Sequence, residues 1–181
     1  SNRLSEAIYV QDEKDGILLS PTLAPLKSPD GTHVARHGFG YSVFERDAHR
    51  LRMELLQTVP LTDTVKLSRL RLTNNSPTAR TFSVTFYAEW VLGPNRAASA
   101  PYLMTGIDEQ TGAMFARNPW NVQMGEQVAF ADMGGKQTGW SGDRREFLGA
   151  HGRLAAPKAL TSRQALSNRT GAGLDPCCAL Q

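Results

Sequence analysis

The segment Arg117–Asn121 carries the side chains best suited to bind a ligand. Its sequence, R-N-P-W-N, places one aromatic ring, one guanidinium group and two amides within five residues. Sugars bind by stacking their C–H faces on aromatic rings and by pairing their hydroxyls with planar polar groups. Pro119 favours an extended loop that presents such groups. We therefore predict a carbohydrate-binding set made of Arg117, Asn118, Trp120 and Asn121.

Trp140, flanked by Gly139 and Ser141, is the next candidate aromatic platform for a sugar. Both aromatic candidates have a structural alternative. Trp120 would plug the edge of a sandwich while the two asparagines beside it make turns, and Trp140 would be buried. Trp90 is predicted to lie in the core, because it ends the most regular amphipathic run of the chain.

The acidic residues give no predicted catalytic pair. Glycoside hydrolysis uses two carboxyl groups on either side of the bond, and the sequence places no such pair together. Glu89 is the most conspicuous acid, and it is expected to pair with an arginine or to lie at the solvent face. An anomerising site would need a histidine acid and a carboxylate base in one cleft, for which His37, His49 and Glu89 are the candidates. We predict no catalytic residue.

The charged residues that follow Gly142 are expected to serve structure. Aspartate in a turn usually caps its own backbone, as expected for Asp143. Arg144 and Arg145 could hold an anionic group, but a salt bridge to Asp143 or Glu146 is their commoner role.

No metal or cofactor site is predicted. His33 and His37 are four residues apart, a spacing that suits a metal on a helix, but Gly38 and Gly40 disfavour a helix there. The adjacent Cys177 and Cys178 could bridge only with strain, so we expect free thiols and a reducing compartment.

The distribution of charge argues against nucleic-acid binding. The net charge is +3, and the segment from Leu148 onward, with four cations and one anion, contributes the same +3. The body of the chain is therefore neutral, whereas a nucleic-acid binder clusters cations on one face. No apolar run approaches the length of a membrane span and no signal peptide is evident, so we expect no direct membrane contact.

Alternation of apolar and polar residues predicts β-strands. The clearest run is Arg80–Val91, whose buried face is predicted to carry Phe82, Val84, Phe86, Ala88 and Trp90. The preceding run, Val65–Asn74, changes phase once, which predicts a bulge near Ser68–Arg69. Turn residues between the two runs predict that they form an antiparallel hairpin.

Turn signals recur about every 8–12 residues, which is typical of a sandwich or barrel. Further strands are predicted at Ile17–Leu19, Gly40–Glu45, Leu51–Leu55, Tyr102–Ile107, Ala113–Ala116, Val128–Met133 and Arg145–Leu148. No helix of ten residues is predicted, and Ala159–Ser167 fits either a short helix or a strand.

Six segments resemble, in order, the N-terminal sandwich domain of glycoside hydrolase family 94, which includes the cellobiose and chitobiose phosphorylases. They are L-L-S-P-T-L-A-P-L at Leu18–Leu26, R-H-G-F-G-Y-S at Arg36–Ser42, S-R-L-R-L-T-N-N-S at Ser68–Ser76, Y-A-E-W-V-L-G at Tyr87–Gly93, F-A-R-N-P-W-N at Phe115–Asn121 and S-G-D-R-R-E-F-L-G at Ser141–Gly149. The segment G-A-G-L-D-P-C at Gly171–Cys177 looks like the same region of bacterial cyclic β-1,2-glucan synthases.

One of these segments is predicted to be a structural motif, formed by Arg36, His37, Gly38, Gly40 and Tyr41. The two glycines fit a backbone that takes positive φ or packs closely. His37 is expected to tie this turn to a neighbouring strand.

The resemblance implies an all-β, antiparallel supersandwich of the galactose-mutarotase-like type. It would form a single domain over residues 1–181, truncated at its C-terminal end. The parent would be much larger, with a catalytic (α/α)₆ barrel that this fragment lacks. Alone the chain is therefore expected not to be an enzyme.

The resemblance also implies a function, which is to brace the barrel and shape its glucan site in cyclic β-1,2-glucan synthesis. The implied partners are a β-glucan, the barrel and a second copy of the chain. The domain would be cytoplasmic and the parent an inner-membrane protein of a Gram-negative bacterium. An autonomous, mutarotase-like aldose epimerase and a free-standing carbohydrate-binding module are the alternatives.

Overall fold

A computed structural model describes residues 5–27 and 30–181. The chain divides into two compact units. The N-terminal unit is Ile8–Ser83, and the C-terminal unit contains the residues up to Ala7 together with Val84–Gln181. Both units consist mainly of antiparallel strands, which confirms the predicted all-β class.

The elements, in chain order, are as follows. The strands are β1 (Glu6–Asp12), β2 (Leu18–Leu19), β3 (Thr32–Gly38), β4 (Tyr41–Ala48), β5 (Leu51–Thr58), β6 (Leu67–Asn74), β7 (Phe82–Glu89), β8 (Met104–Ile107), β9 (Met114–Arg117), β10 (Val128–Ala131), β11 (Trp140–Asp143) and β12 (Pro176–Leu180). The helices are α1 (Arg96–Ser99), α2 (Arg144–Leu148) and α3 (Lys158–Thr161), with a 3₁₀ turn at Ala100–Tyr102. The sheet orders are β11-β12-β7-β1-β2, β10-β9-β8 and β3-β4-β5-β6.

The N-terminal unit is built on the β3-β4-β5-β6 sheet. Its buried face alternates along β5, where Leu51, Met53 and Leu55 are at most 1% exposed. Arg46 lies opposite Met53 and is also buried, and its guanidinium donates to the Ser20 carbonyl at 2.9 Å. The opposite face carries exposed ion pairs, including Arg36 with Glu45 at 2.9 Å.

The motif at Arg36–Tyr41 forms the turn between β3 and β4. Gly38 lies opposite Tyr41, whose ring occupies the space that a side chain at Gly38 would need. Gly40 has φ +74°, a conformation that favours glycine. The His37 Nδ1 and the Ser42 Oγ are 2.9 Å apart across the two strands, so His37 ties the hairpin together.

The C-terminal unit has a central layer of three strands, in which β12 pairs with β11 and with β7. One face of this layer packs on the β10-β9-β8 sheet, and the core between them contains Trp90, Leu103, Met114, Ala116, Cys178 and Leu180. On the other face the Tyr87 ring stacks on the Phe147 ring of α2, with centroids 5.0 Å apart. Both faces of β12 are therefore covered, and all five of its residues are buried.

The two cysteines lie in β12. Both are free thiols, as predicted, and both are fully buried. Successive side chains of a strand point to opposite faces, so the two sulfurs do not face each other. Burial raises the pKa of both thiols.

The predicted hairpin of Val65–Asn74 with Arg80–Val91 is wrong. β6 pairs with β5 from Leu67 to Asn74, without the predicted bulge, whereas β7 pairs with β12. The Asn74 side chain accepts from Ser76 N at 3.0 Å and donates to Thr78 O at 2.7 Å. These bonds build a seven-residue connection, from Asn75 to Thr81, between β6 and β7 that is longer than a hairpin turn needs.

The predicted buried face of β7 is confirmed only in part: Trp90 is buried as expected, and Phe86 and Ala88 pack against the core but are not fully buried. The opposite face is the more buried one, with Thr85 at 1% and Tyr87 at 0% exposure, while Phe86 and its neighbours on the predicted face are half-buried. Alternation in sequence identified two different faces but not which one packs more tightly, because other elements cover both.

The segment Arg145–Leu148 is helical rather than the predicted strand. The Asp143 side chain accepts from Arg145 N at 3.0 Å and caps α2. Ala159–Ser167 begins in helix α3 and continues without regular structure, and the absence of any helix of ten residues among the described residues agrees with the prediction.

Replacing Phe147 by alanine tests the stacked pair on the covered face of β7. The ring is 0% exposed, so Phe147→Ala should lower the free energy of unfolding by about 3–5 kcal/mol. Val122→Ala, at a side chain that is fully exposed, is the control and should change it by less than about 0.5 kcal/mol. Urea denaturation measures both, and a small loss for Phe147→Ala would refute the three-layer arrangement.

Acid unfolding tests a buried ion pair in the N-terminal unit. The Asp12 carboxylate is 3% exposed, 2.7 Å from Arg80 Nε and 2.8 Å from Lys14 N. Burial alone would raise its pKa, but the Lys14 hydrogen bond and the Arg80 charge outweigh burial and hold the pKa below 3.8. A lowered folded-state pKa stabilises the fold above the unfolded-state pKa, and this stability is lost as the pH falls through the folded-state pKa.

The Asp12→Asn variant keeps an oxygen for Lys14 N but removes the charge. It should be less stable than the parent at pH 7, and the difference should shrink as the pH falls below about 3.8. Thermal denaturation from pH 7 to pH 2 measures this difference. A difference that stays constant over that range would show that the charge of Asp12 contributes nothing.

Candidate functional site

The segment that follows β9 is held by its own asparagines. Asn118 is 7% exposed, donates from Nδ2 to the Leu92 carbonyl at 3.0 Å and accepts from Trp120 N at 3.2 Å. The Asn121 side chain accepts from two backbone amides that follow it, Gln123 N and Met124 N, both at 3.1 Å. The two amide side chains therefore set the path of the backbone on either side of Trp120.

The Trp120 ring is exposed rather than packed into the sandwich edge. Its residue exposure is 74%, and its ring centroid lies 5.7 Å from that of Tyr102, with the two planes tilted by 42°. Tyr102, 46% exposed, ends the 3₁₀ turn that continues from α1. Asn95 caps α1 by accepting from Ala98 N at 2.9 Å.

These two segments border an open, shallow cleft of about 380 Å³ within the C-terminal unit. Its lining residues are all uncharged and are Pro94, Ala98, Ser99, Tyr102, Asn118, Trp120 and Asn121. The cleft thus combines two accessible rings with hydroxyl and amide groups. Among the described residues, none hydrogen-bonds the indole N–H of Trp120 or the hydroxyl of Tyr102.

The structure brings together three of the five sequence-predicted sugar-binding residues and separates the other two. Arg117 is exposed on the outer face of the β10-β9-β8 sheet, opposite the buried Ala116, and does not line the cleft. Trp140 lies in β11, packs against the core, and donates its indole N–H to the Asn168 carbonyl at 3.1 Å. Its indole N–H therefore already has a structural partner.

Sequence reasoning did not identify Tyr102 as part of the site. The residue was assigned to a strand, Tyr102–Ile107, whereas β8 begins at Met104. The signal that precedes it is an asparagine followed by the helix-forming run Arg96-Ala97-Ala98, which predicts a capped helix. This signal predicts the helix before Tyr102, but it does not predict that Tyr102 contacts Trp120, because that contact depends on how the two segments fold together.

Glu89 is part of a compact ion cluster. Its Oε1 accepts from Arg144 Nε at 3.0 Å and from the Tyr87 hydroxyl at 3.2 Å, and its Oε2 is 4.0 Å from Arg96 Nη1. Asp175 pairs with both of the same arginines. The predicted pairing of Glu89 with arginine is confirmed, and the cluster has two charges of each sign.

The predicted partners of Arg144 were wrong. Arg144 pairs with Glu89 and Asp175, whereas Asp143 pairs with Arg169 at 3.2 Å. Glu146 instead accepts from the hydroxyls of Ser141 and Ser167. Short sequence separation suggested the nearest acids, but the turn from β11 into α2 directs Arg144 towards β7.

Within residues 5–27 and 30–181, no group of three or more histidine, cysteine, aspartate or glutamate side chains is placed to hold a metal ion. None of the helices in this part of the chain is long and apolar enough to cross a membrane.

Comparison with known proteins decides the family. Residues 1–181 match the family described as glycosyl hydrolase 94, supersandwich domain. The chain belongs to this family. This supersandwich domain is also 38% identical, over 179 residues, to the cyclic beta-(1,2)-glucan synthase NdvB of Rhizobium meliloti strain 1021. The match covers 99% of the chain but only 6% of that relative.

In this supersandwich domain the R-N-P-W-N segment has two structural amides and one exposed ring. Asn118→Ala should leave the partly buried Leu92 carbonyl and Trp120 N without their side-chain partner, and we expect a loss of about 1–3 kcal/mol of stability. Trp120→Ala, at an exposed ring, should change stability by less than about 0.5 kcal/mol. Chemical denaturation compares the two, and an equal loss for both would show that Trp120 supports the core.

Proposed function

We propose that this supersandwich domain serves a larger β-glucan-processing protein as a non-catalytic domain. The observation that carries the proposal is the match of the chain to the glycosyl hydrolase 94 supersandwich, together with its 38% identity to a synthase of which it spans 6%. The domain would brace the catalytic barrel of that protein on the cytoplasmic side of the membrane and help to shape its glucan site.

The environment of the acids supports a non-catalytic role. A general base needs a pKa near the working pH and access to the proton that it removes. Glu89 would be the general base if the domain were an epimerase, but two guanidinium groups and a tyrosine hydroxyl already surround its carboxylate. Of the two candidate acids, His37 contacts the Ser42 hydroxyl in the β3–β4 hairpin, and His49 lies in the turn between β4 and β5 with φ +49°. We therefore do not propose an epimerase.

The chain on its own should have no catalytic activity. Incubated with β-1,2-glucan and inorganic phosphate, it should release no sugar phosphate above background, and it should not accelerate the anomerisation of glucose. Anion-exchange chromatography of the sugar phosphate and polarimetry of glucose measure the two reactions. Glu89→Gln is the matched control, and turnover by the parent chain that this variant abolishes would overturn the proposal.

A further inference from the structure

We propose that the cleft lined by Tyr102 and Trp120 binds two adjacent sugar units of a bent, uncharged glucan, one unit stacked on each ring. The class of ligand rests on the function proposed above. The geometry of the cleft adds three points to that function: the ring of Tyr102 is part of the site, Arg117 is not part of it, and a bent glucan chain should bind better than a straight one. Four features of the cleft carry the inference.

The first feature is the absence of charge. All seven lining residues are neutral, and the nearest sequence cation, Arg117, projects from the outer face of the β10-β9-β8 sheet instead. An anionic sugar phosphate or an acidic peptide would lose hydration in the cleft without gaining a counter-charge. An uncharged saccharide carries no such cost.

The second feature is aromatic surface that the fold does not use. Trp120 is 74% exposed and Tyr102 is 46% exposed, although rings of this size usually bury most of their area. Rings exposed at a cleft beside amide and hydroxyl groups are typical of ligand sites. The indole N–H of Trp120 can then donate to a sugar hydroxyl, and the hydroxyl of Tyr102 can donate to or accept from one.

The third feature is rigidity. The Asn118 side chain fixes the backbone of Trp120 on one wall, and the Asn95 carbonyl accepts from the Ser99 hydroxyl at 2.8 Å on the other. A wall that is already ordered loses little conformational freedom when a ligand binds.

The fourth feature is the relative orientation of the two rings. Their centroids are only 5.7 Å apart, which leaves no room for a sugar between the two rings, so each sugar unit must stack on the exposed side of a ring that lines the cleft. Because the planes are tilted by 42°, one straight, ribbon-like chain cannot lie flat on both rings. A β-1,2-linked chain bends between neighbouring units, whereas a β-1,4-linked chain is extended.

The test is a titration of the chain with two neutral oligosaccharides of equal length, β-1,2-linked glucotetraose and β-1,4-linked cellotetraose. Saturation-transfer NMR and tryptophan fluorescence report binding, and we expect Kd for the β-1,2-linked sugar of about 1 mM. Cellotetraose should bind at least about 5-fold more weakly, and glucose 6-phosphate should not compete with the β-1,2-linked sugar.

Variants locate the site. Trp120→Ala and Tyr102→Ala should each weaken binding at least about 10-fold, whereas Tyr102→Phe should retain most of it. Val122→Ala, fully exposed and outside the cleft lining, should bind as the parent does. Melting temperatures check folding, and Tyr102→Leu replaces Tyr102→Ala if the alanine variant unfolds.

Three results would overturn the inference. They are no binding of the β-1,2-linked sugar at 10-fold above the expected Kd, binding unchanged by Trp120→Ala, and equal affinity for the two oligosaccharides. These three results concern sugar binding only and say nothing about catalytic turnover by the chain alone. The proposed non-catalytic role is overturned only by turnover in the phosphorolysis or anomerisation assay. The failure of one proposal can therefore be told from the failure of the other.

Discussion

The double burial of β12 determines how the C-terminal unit is layered. Cys178 and Leu180 face the core shared with the β10-β9-β8 sheet, and the alternate residues face the side that α2 covers. A strand in this position needs apolar side chains at every position rather than at every second one. The run Pro176–Leu180 meets this requirement with small residues, which let both layers approach closely. The β9 strand, and with it the segment carrying Trp120, is held in place by this core.

The cleft is linked to the same strand through charge as well as packing. Arg96, the first residue of α1, donates to the Pro176 carbonyl at 3.0 Å and pairs with Asp175, which immediately precedes β12. Glu89 and Arg144 complete the ion cluster at this point. One wall of the cleft, which continues from α1 to Tyr102, is thus attached to the start of the central strand. Partly buried clusters of balanced charge fix orientation more than they add stability.

The sequence predicted most of those elements that have one covered face. Alternation located β5, because a strand with one wet face shows period 2. It also located β7 and the core position of Trp90, although both faces of β7 are covered. β12 was missed, since its uniform burial leaves no alternation to detect. The hairpin of β6 with β7 was wrong because local turn residues at Asn74 specify a change of direction but not the partner strand. Tyr102 was missed because its contact with Trp120 comes from the fold and has no local signature.

The pairing of β7 with β12 joins parts of the chain that are far apart in sequence. The Gln181 amide contacts the Thr85 hydroxyl across 96 residues, and the intervening chain contains every strand of the β10-β9-β8 sheet. Closing so large a loop costs entropy before any contact of β12 stabilises it, so folding of this unit should be slow compared with hairpins of similar size. During synthesis on the ribosome, one edge of β7 stays without its partner until residues 176–180 emerge. Until then Tyr87 and Phe86 lie on a strand without its partner, and exposed apolar surface of this kind favours aggregation of a nascent chain.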